Sequence, residues 1–364
     1  MDYQKIRRKT REVSVGNVKI GGRNSIAIQS MTNTDTLDVD ATINQILSLE
    51  AAGCDIVRIT VPSLAAAETV RAIKAANVEI PIVADIHFDY RIALKCAEYG
   101  VDKIRINPGN IGDEENVKAV CNACRERGIP IRIGVNSGSL EKHILARYGA
   151  PTAEALCESA AYHMSLLEHF GFYDTVISIK ASNPKEMIDA NRLLAERTDY
   201  PLHLGVTEAG SKEIGSMKSA IGIGALLCDG IGDTIRVSLT DKPEEEADAA
   251  KKILRAAGIE GQCGLDIVSC PTCGRTKIDL IRLVHDFEDA VKREGLSSLP
   301  VKVALMGCIV NGPGEAKEAD IGIAGGKGEA ALFRRGIVVG KVREDEIIAT
   351  LIRELHTMKK TGSY

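Results

Sequence analysis

PIRIGVNSG, residues 130–138, alternates between two kinds of side chain. Ile131, Ile133 and Val135 share one parity, and Arg132, Gly134 and Asn136 share the other. Successive residues of a β-strand point to opposite faces, so this run predicts a strand with one apolar face and one that carries a cation. The split recurs along the chain. Ile177 and Ile179 oppose Ser178 and Lys180; Leu202 and Leu204 oppose His203 and, in the same parity, Thr207; Ile235, Val237 and Leu239 oppose Thr234, Arg236 and Ser238. Between residues 26 and 258 there are eight β-rich runs: IAIQSMT, DIVRITV, PIVADIH, DKIRINPGN, PIRIGVNSG, TVISIKAS, PLHLGVTEAG and DTIRVSLT. Amphipathic stretches separate them, among them Asp40 to Ala52, Ser63 to Ala76, Asp89 to Tyr99 and Asn183 to Arg197, several opened by a capping Ser, Asp or Asn. Eight strand–helix units over this length predict a (β/α)8 TIM-type barrel rather than an open doubly wound sheet. The segment 10–25, with EVSVGNVKIGG, predicts a hairpin closing the barrel bottom.

If the apolar strand faces meet the helices, then Arg58, Asp85, His87, Arg105, Asn107, Arg132, Asn136, Lys180, His203, Thr207, Arg236 and Ser238 point into the barrel. A barrel interior is ordinarily filled with branched apolar side chains. Unpaired buried cations cost several kcal/mol each, so the five bases Arg58, Arg105, Arg132, Lys180 and Arg236 require anions. Asp85 and Glu208 balance only part of that charge. The excess lies near the C-terminal strand ends, where barrel enzymes place their chemistry, and predicts a multiply anionic substrate such as a diphosphate.

Composition excludes other classes. A net charge of −4 and 4% aromatic residues give no electrostatic footprint for nucleic acid and little for bases to stack on. No apolar run is long enough to span a membrane, and the charged start MDYQKIRRKTREV has no apolar core after it, so no secretory signal is expected. QSMTNTDTLDVD, after the first strand, lacks a dinucleotide-binding GxGxxG, and GGKGEA (325–330) lies outside the strand-to-helix context of a phosphate loop.

After Gly258 the texture changes. A loop-rich stretch leads into a helix from Asp279 to Gly295, a strand from Pro300 to Met306, two strands in IGIAGG and RRGIVVGKV, and a last helix from Glu344 to Lys359. The expected division is therefore a barrel over 1–258, binding the diphosphate, and a smaller α+β domain over 259–364. This second domain holds Cys270 and Cys273 in SCPTCGRT and Cys308 in MGCIVNGPGEA. Pro271 and Gly274 build a turn that aims the first two sulfurs the same way. Three thiolates make a soft site for zinc or iron–sulfur, and no fourth cysteine follows. The nearest strong candidate beyond Cys308 is Glu315. Cys121 and Cys124 also read CxxC, but with Val117 and Val120 they form an i, i+3, i+4, i+7 helix stripe, which marks core packing. The seven cysteines outside the cluster, Cys54, Cys96, Cys121, Cys124, Cys157, Cys228 and Cys263, have no framework spacing, which points to a reducing cytoplasm.

QSMTNTDT, VADIHFD, RINPGN, GVNSGSL, GVTEAG, SCPTCGR and MGCIVNGPGEA, with ADIGIAGG following, together resemble the 4-hydroxy-3-methylbut-2-enyl diphosphate synthases of bacteria, in their two-domain form, over essentially the whole chain. The resemblance implies an oxidoreductase of the non-mevalonate isoprenoid pathway. Its reaction would be two-electron reductive ring opening and dehydration of 2-C-methyl-D-erythritol 2,4-cyclodiphosphate to (E)-4-hydroxy-3-methylbut-2-enyl diphosphate. It implies a [4Fe-4S] cluster on Cys270, Cys273, Cys308 and Glu315, and diphosphate contacts from Arg58, His87, Arg105, Arg132, Asn136, Lys180, Thr207, Arg236 and Ser238. Glu208 becomes the barrel acid for proton transfer, and Glu315 an exchangeable oxygen ligand that yields to substrate. Flavodoxin or ferredoxin is implied as electron donor, and a head-to-tail homodimer as the assembly. Two readings compete with it: a diphosphate-binding barrel transferase with a structural zinc module, and a non-catalytic iron–sulfur sensor, which leaves the barrel cations unexplained.

Overall fold

The short alternating segment near the N-terminus folds as a hairpin, β1 (Glu12–Val15) against β2 (Val18–Gly21), in the computed structural model of the chain, which describes residues 3–259, 264–308 and 317–363. Val13, Val15 and Ile20 of this hairpin pack against Ala27, Ile56, Val83 and Val176, at or near the starts of four barrel strands, and so plug the barrel at its N-terminal end.

The barrel strands are β3 (Ala27–Met31), β4 (Ile56–Thr60), β5 (Ile82–Asp85), β6 (Lys103–Ile106), β7 (Ile131–Asn136), β8 (Thr175–Lys180), β9 (His203–Leu204) and β10 (Thr234–Ile235). Every neighbouring pair is parallel, in the spatial order β8-β7-β6-β5-β4-β3-β10-β9, and a parallel bridge from Ile177 to Leu202 joins the two ends of the ring. Each strand is followed by helix, as a parallel sheet requires of its crossovers. The capping residues act as their positions suggest: the side chains of Asp38, Ser63, Asp89 and Asn183 each accept from a backbone N–H in the first helical turn. The helix Glu114–Arg127 ends on Gly128 in the left-handed region (φ 64°), and it buries Val117, Val120, Cys121 and Cys124 as one stripe.

The seventh and eighth ladders are shorter than their sequence runs suggest. Beyond Leu204 the chain passes through Gly205, where a Cβ would meet the carbonyl of Arg236 and the amine of Lys180. Single backbone bonds then replace the ladder, from Arg236 N–H to Leu204 O (2.9 Å) and from Thr207 N–H to Ala181 O (3.2 Å). These bonds hold Thr207, Arg236 and Ser238 over the strand ends.

The chain divides into the units Met1–Gly258 and Ile259–Tyr364. The second has a five-stranded sheet in sequential order: β11 (Asp266–Ser269), β12 (Lys302–Met306), β13 (Ile321–Gly325), β14 (Glu329–Arg334) and β15 (Ile337–Arg343). The first three strands run parallel and the last two return antiparallel. Helices Leu280–Arg293 and Ile347–Thr361 cover the sheet through Leu280, Phe287, Val291, Leu351 and Leu355. Two of these strands, DIVS and EAALFR, escape the sequence reading, because each is short and bounded by glycine-rich or loop-forming residues. Among the described residues no helix is long and apolar enough to cross a membrane.

Candidate active site

At the C-terminal ends of the barrel strands a cavity of about 160 Å3 is lined by Arg58, Asp85, His87, Arg105, Arg132, Gly134, Asn136, Ser178, Lys180, Thr207, Arg236 and Ser238. All nine side chains expected to contact a diphosphate therefore line one space. Parity explains the convergence: Arg132, Gly134 and Asn136 stand on one face of β7, and Ser178 and Lys180 on the matching face of β8, in register with Gly134 and Asn136.

The charges are unevenly paired. Asp85 accepts from Arg105 Nη1 at 2.9 Å and lies 3.5 Å from Arg58 Nε. Arg58 also directs Nη2 at the thioether of Met31, 2.9 Å away. Arg236 pairs with Glu246 at 3.1 Å, and Glu246 accepts a further bond from Ser30 Oγ at 2.8 Å. The second carboxylate is thus Glu246, from the helix Pro243–Ala256, and not Glu208 as the sequence suggests. Five basic side chains thus face only these two carboxylates. Arg132 is 1% exposed, and its Nε and Nη1 have no hydrogen-bond partner among the described residues. Burial, with Arg58 and Arg105 alongside, pushes its pKa well below the guanidinium range. Burial and Arg236 do the same to Lys180, and burial brings Arg58 down to about 10. Burial works against the Asp85 carboxylate, yet Arg58, Arg105 and Arg132 overcome it and hold that group well below the usual range. The cavity is built for anions that it does not itself supply.

Gly134 makes room for this arrangement, because a Cβ there would collide with the guanidinium of Arg105. Gly134→Ala should push Arg105 off Asp85 and weaken binding of a diphosphate ligand by about tenfold, roughly 1.4 kcal/mol, as read by titration calorimetry. Unchanged affinity would remove Arg105 from the binding set.

Two residues expected to face the interior play other parts. Asn107 caps its own turn by accepting from Gly109 N–H at 3.0 Å, and His203 is fully buried below the cavity with Nδ1 against Thr234 Oγ1. Glu208 stands exposed at the rim, next to Thr207, with a left-handed backbone (φ 51°). A non-glycine residue held in that region is uncommon and costs about 1 kcal/mol or more, a pattern found where side-chain direction matters. Lys103, by contrast, was not foreseen: it is two residues before Arg105 on the same strand face and is wholly buried.

The candidate metal centre is in the second unit. Cys270 and Cys273 follow β11, Cys308 follows β12, and these parallel strands are neighbours, so both loops leave the same edge of the sheet. The loops touch: Gly307 N–H donates to Cys270 Sγ at 3.2 Å, and Lys277 N–H donates to Gly307 O at 2.9 Å. Gly307 permits this approach, since a Cβ would collide with Thr276. The backbone N–H and guanidinium of Arg275 hold the Cys273 thiol below its ordinary value. Two touching loops that supply three sulfurs, with N–H donors aimed at sulfur, fit a three-thiolate cluster. Glu315 lies outside the described residues, and among the described ones no three His, Cys, Asp or Glu side chains stand close enough together to hold a metal ion, so Cys270, Cys273 and Cys308 are on touching loops without being gathered around one point. Cys121 and Cys124 are inert by comparison, their thiols pushed up to about 12 by burial.

A family model described as the GcpE TIM-barrel domain matches residues 10–251, and one described as the GcpE protein C-terminal domain matches residues 266–357. A 4-hydroxy-3-methylbut-2-en-1-yl diphosphate synthase (flavodoxin) from Caldanaerobacter subterraneus subsp. tengcongensis is 57% identical over 356 residues, covering 98% of this chain and 99% of that protein. The protein of the same name from Clostridium perfringens is 56% identical over 354 residues, covering 97% and 99%. Among solved structures, Yersinia pestis dihydropteroate synthase aligns at 13% identity with a TM-score of 0.47, over 68% of this chain and 98% of that one.

Proposed function

The chain belongs to the GcpE family of 4-hydroxy-3-methylbut-2-en-1-yl diphosphate synthases, and we propose that its barrel cavity clamps the diphosphate of 2-C-methyl-D-erythritol 2,4-cyclodiphosphate for reduction by a [4Fe-4S] cluster held in the second unit. The reaction takes in two electrons and a proton, opens the ring, and releases water and (E)-4-hydroxy-3-methylbut-2-enyl diphosphate. The observation that carries this reading is the excess of cations around the cavity. Breaking the ring at a carbon–oxygen bond turns a bridging phosphate oxygen into a terminal one, so the diphosphate gains a negative charge as the bond opens. Arg58, Arg105, Arg132, Lys180 and Arg236 meet that charge with donors already in place, and therefore bind the opened form more strongly than the closed one. Asn136, Thr207, Ser238 and His87 are proposed to orient the phosphates by neutral hydrogen bonds, and Glu208, at the rim, to move a proton.

Cys270, Cys273 and Cys308 are the proposed thiolate ligands and Glu315 the fourth, an oxygen ligand more readily displaced than a thiolate. When bound, the cluster supplies the electrons one at a time, with flavodoxin, the donor in the names of the relatives, or ferredoxin as their source. Five buried free thiols, Cys54, Cys96, Cys121, Cys124 and Cys157, suit a reducing cytoplasm. Anaerobically purified protein should be brown and contain about four iron and four sulfide per chain. Colourless protein with one zinc per chain would favour the transferase reading instead.

A head-to-tail homodimer belongs to the same proposal, and topology supports it. The last barrel helix, Pro243–Ala256, runs back from the strand ends that carry the cavity, so the chain leaves the first unit at the opposite end of the barrel. On this proposal the cluster unit of a second copy meets the cavity. Cys270→Ser and Arg132→Ala chains, each inactive alone, should then regain activity in mixed dimers, about a quarter of the parental value for random mixing with one intact site in half of the dimers. Verified heterodimers without recovery would rule out the shared site.

A further inference from the structure

Beneath the cavity lies a second polar layer that the proposed function does not use. Lys103 is 0% exposed, and its Nζ has no hydrogen-bond partner among the described residues. Its neighbour His203 is also unsatisfied at Nε2, and neither amide atom of Gln29, buried on β3, has a partner among the described residues. Lys103 stands on the same face of β6 as Arg105, about 6.6 Å nearer the barrel bottom at a strand's rise per residue, and pairs in register with Val83. Below it the hairpin offers only the apolar Val13, Val15 and Ile20. The charged and titratable groups around it are Arg105 on its own strand, Asp85 on β5, Arg132 on β7, Arg58 on β4, Lys180 on β8 and His203 on β9, mostly cations or potential cations. The sole carboxylate among them, Asp85, is already shared by Arg58 and Arg105.

An ammonium so enclosed and so surrounded is unfavourable, because burial and like charge act in the same direction. Burial, with Arg132 and Arg58 near it, takes the pKa of Lys103 well below the lysine range. The balance changes when a multiply charged anion occupies the space immediately above. We propose that the diphosphate enters this barrel together with a proton from solvent, and that Lys103 is the residue that takes the proton up. The inference rests on the assignment of the cavity to a diphosphate. It gives Lys103 a binding role from a position that the ligand does not touch.

The sign of the stability effect follows. On this proposal Lys103 holds fewer protons in the empty barrel than in the unfolded chain, so the unfolded state binds more protons and this residue makes stability rise with pH. Lys103→Met keeps the aliphatic volume and removes the mismatch. It should raise the Tm at pH 7 while weakening ligand binding about tenfold, a combination that a purely structural lysine does not produce.

The test is titration calorimetry of oxidised, anaerobic holoenzyme with the cyclic diphosphate, without reductant, in PIPES and in Tris, whose ionisation enthalpies differ and neither of which is a phosphate. The parent should take up roughly one-half to one proton per site, and Lys103→Met, or Lys103→Gln if methionine does not fold, should take up correspondingly less. Equal heats in the two buffers, the same uptake in parent and variant, or a lower Tm with unchanged affinity would each overturn the proposal. Failure of the parent to bind at all would overturn the cavity assignment, and this inference with it.

Discussion

Replacing Arg132 by methionine should lower kcat/KM by about 1000-fold or more while leaving the barrel at least as stable as the parent. The two halves of this expectation have one cause. Arg132 heads the fully buried side chains by size among the described residues, and two of its nitrogens have no partner among them. Such a group opposes folding, because its charge leaves water without compensation, so an apolar side chain of similar length relieves the empty protein. In the proposed function the same nitrogens serve as donors fixed in advance for the oxygen that gains charge when the ring opens. Because they are held by strand β7 and not by solvent, little reorganisation is needed at that moment. Steady-state kinetics with thermal denaturation of the same variant tests both halves. A fall in Tm of several degrees with activity retained would mean that Arg132 serves the fold instead.

Cys308→Ser should abolish turnover, by at least about 1000-fold, and cut the iron content, with little change in the barrel. Cys308 leaves β12 directly after Gly307, whose N–H donates to Cys270 Sγ, so in the proposed ligand set its loop would both contribute a sulfur and brace another ligand. Serine keeps the size but gives up the soft thiolate that iron–sulfur chemistry requires. The barrel is a separate unit with its own core, so diphosphate binding measured in the apo variant should remain close to that of the parent apo protein. Iron and sulfide analysis, with the visible spectrum, reads the first effect. Full cluster occupancy in the variant would remove Cys308 from the ligand set.

Much of this site is legible in strand parity. Arg132 and Asn136 in PIRIGVN, Ser178 and Lys180 in VISIK, and Arg236 and Ser238 in TIRVS fall on the inward face because alternation with branched apolar residues leaves them no other. Parity marks a face but not a depth, and the misreadings come from there. His203 and Arg132 share the interior, yet His203 lies below the cavity against Thr234. Lys103 is hard to read from sequence, since a lysine opening a strand ordinarily snorkels to solvent, and its spacing from Arg105 is the one signal that places it inward. Glu246 was invisible for another reason: in PEEEAD it is one of three acids in a first helical turn, where glutamate ordinarily complements the helix dipole in solvent. Only the packing of that helix on β3 brings it to Ser30 and Arg236. Glu208, expected to balance part of the barrel charge, is instead carried outward to the rim by a left-handed turn.

The most direct test of the central claim is a phosphorus NMR record of the cyclic diphosphate incubated anaerobically with the purified protein and reduced flavodoxin. The two ring phosphorus signals should be replaced by those of a linear diphosphate monoester, in step with oxidation of two electron equivalents of donor per molecule, and only when reductant is present. Unchanged ring signals with a fully loaded cluster, or ring opening that proceeds equally well without reductant, would contradict the account.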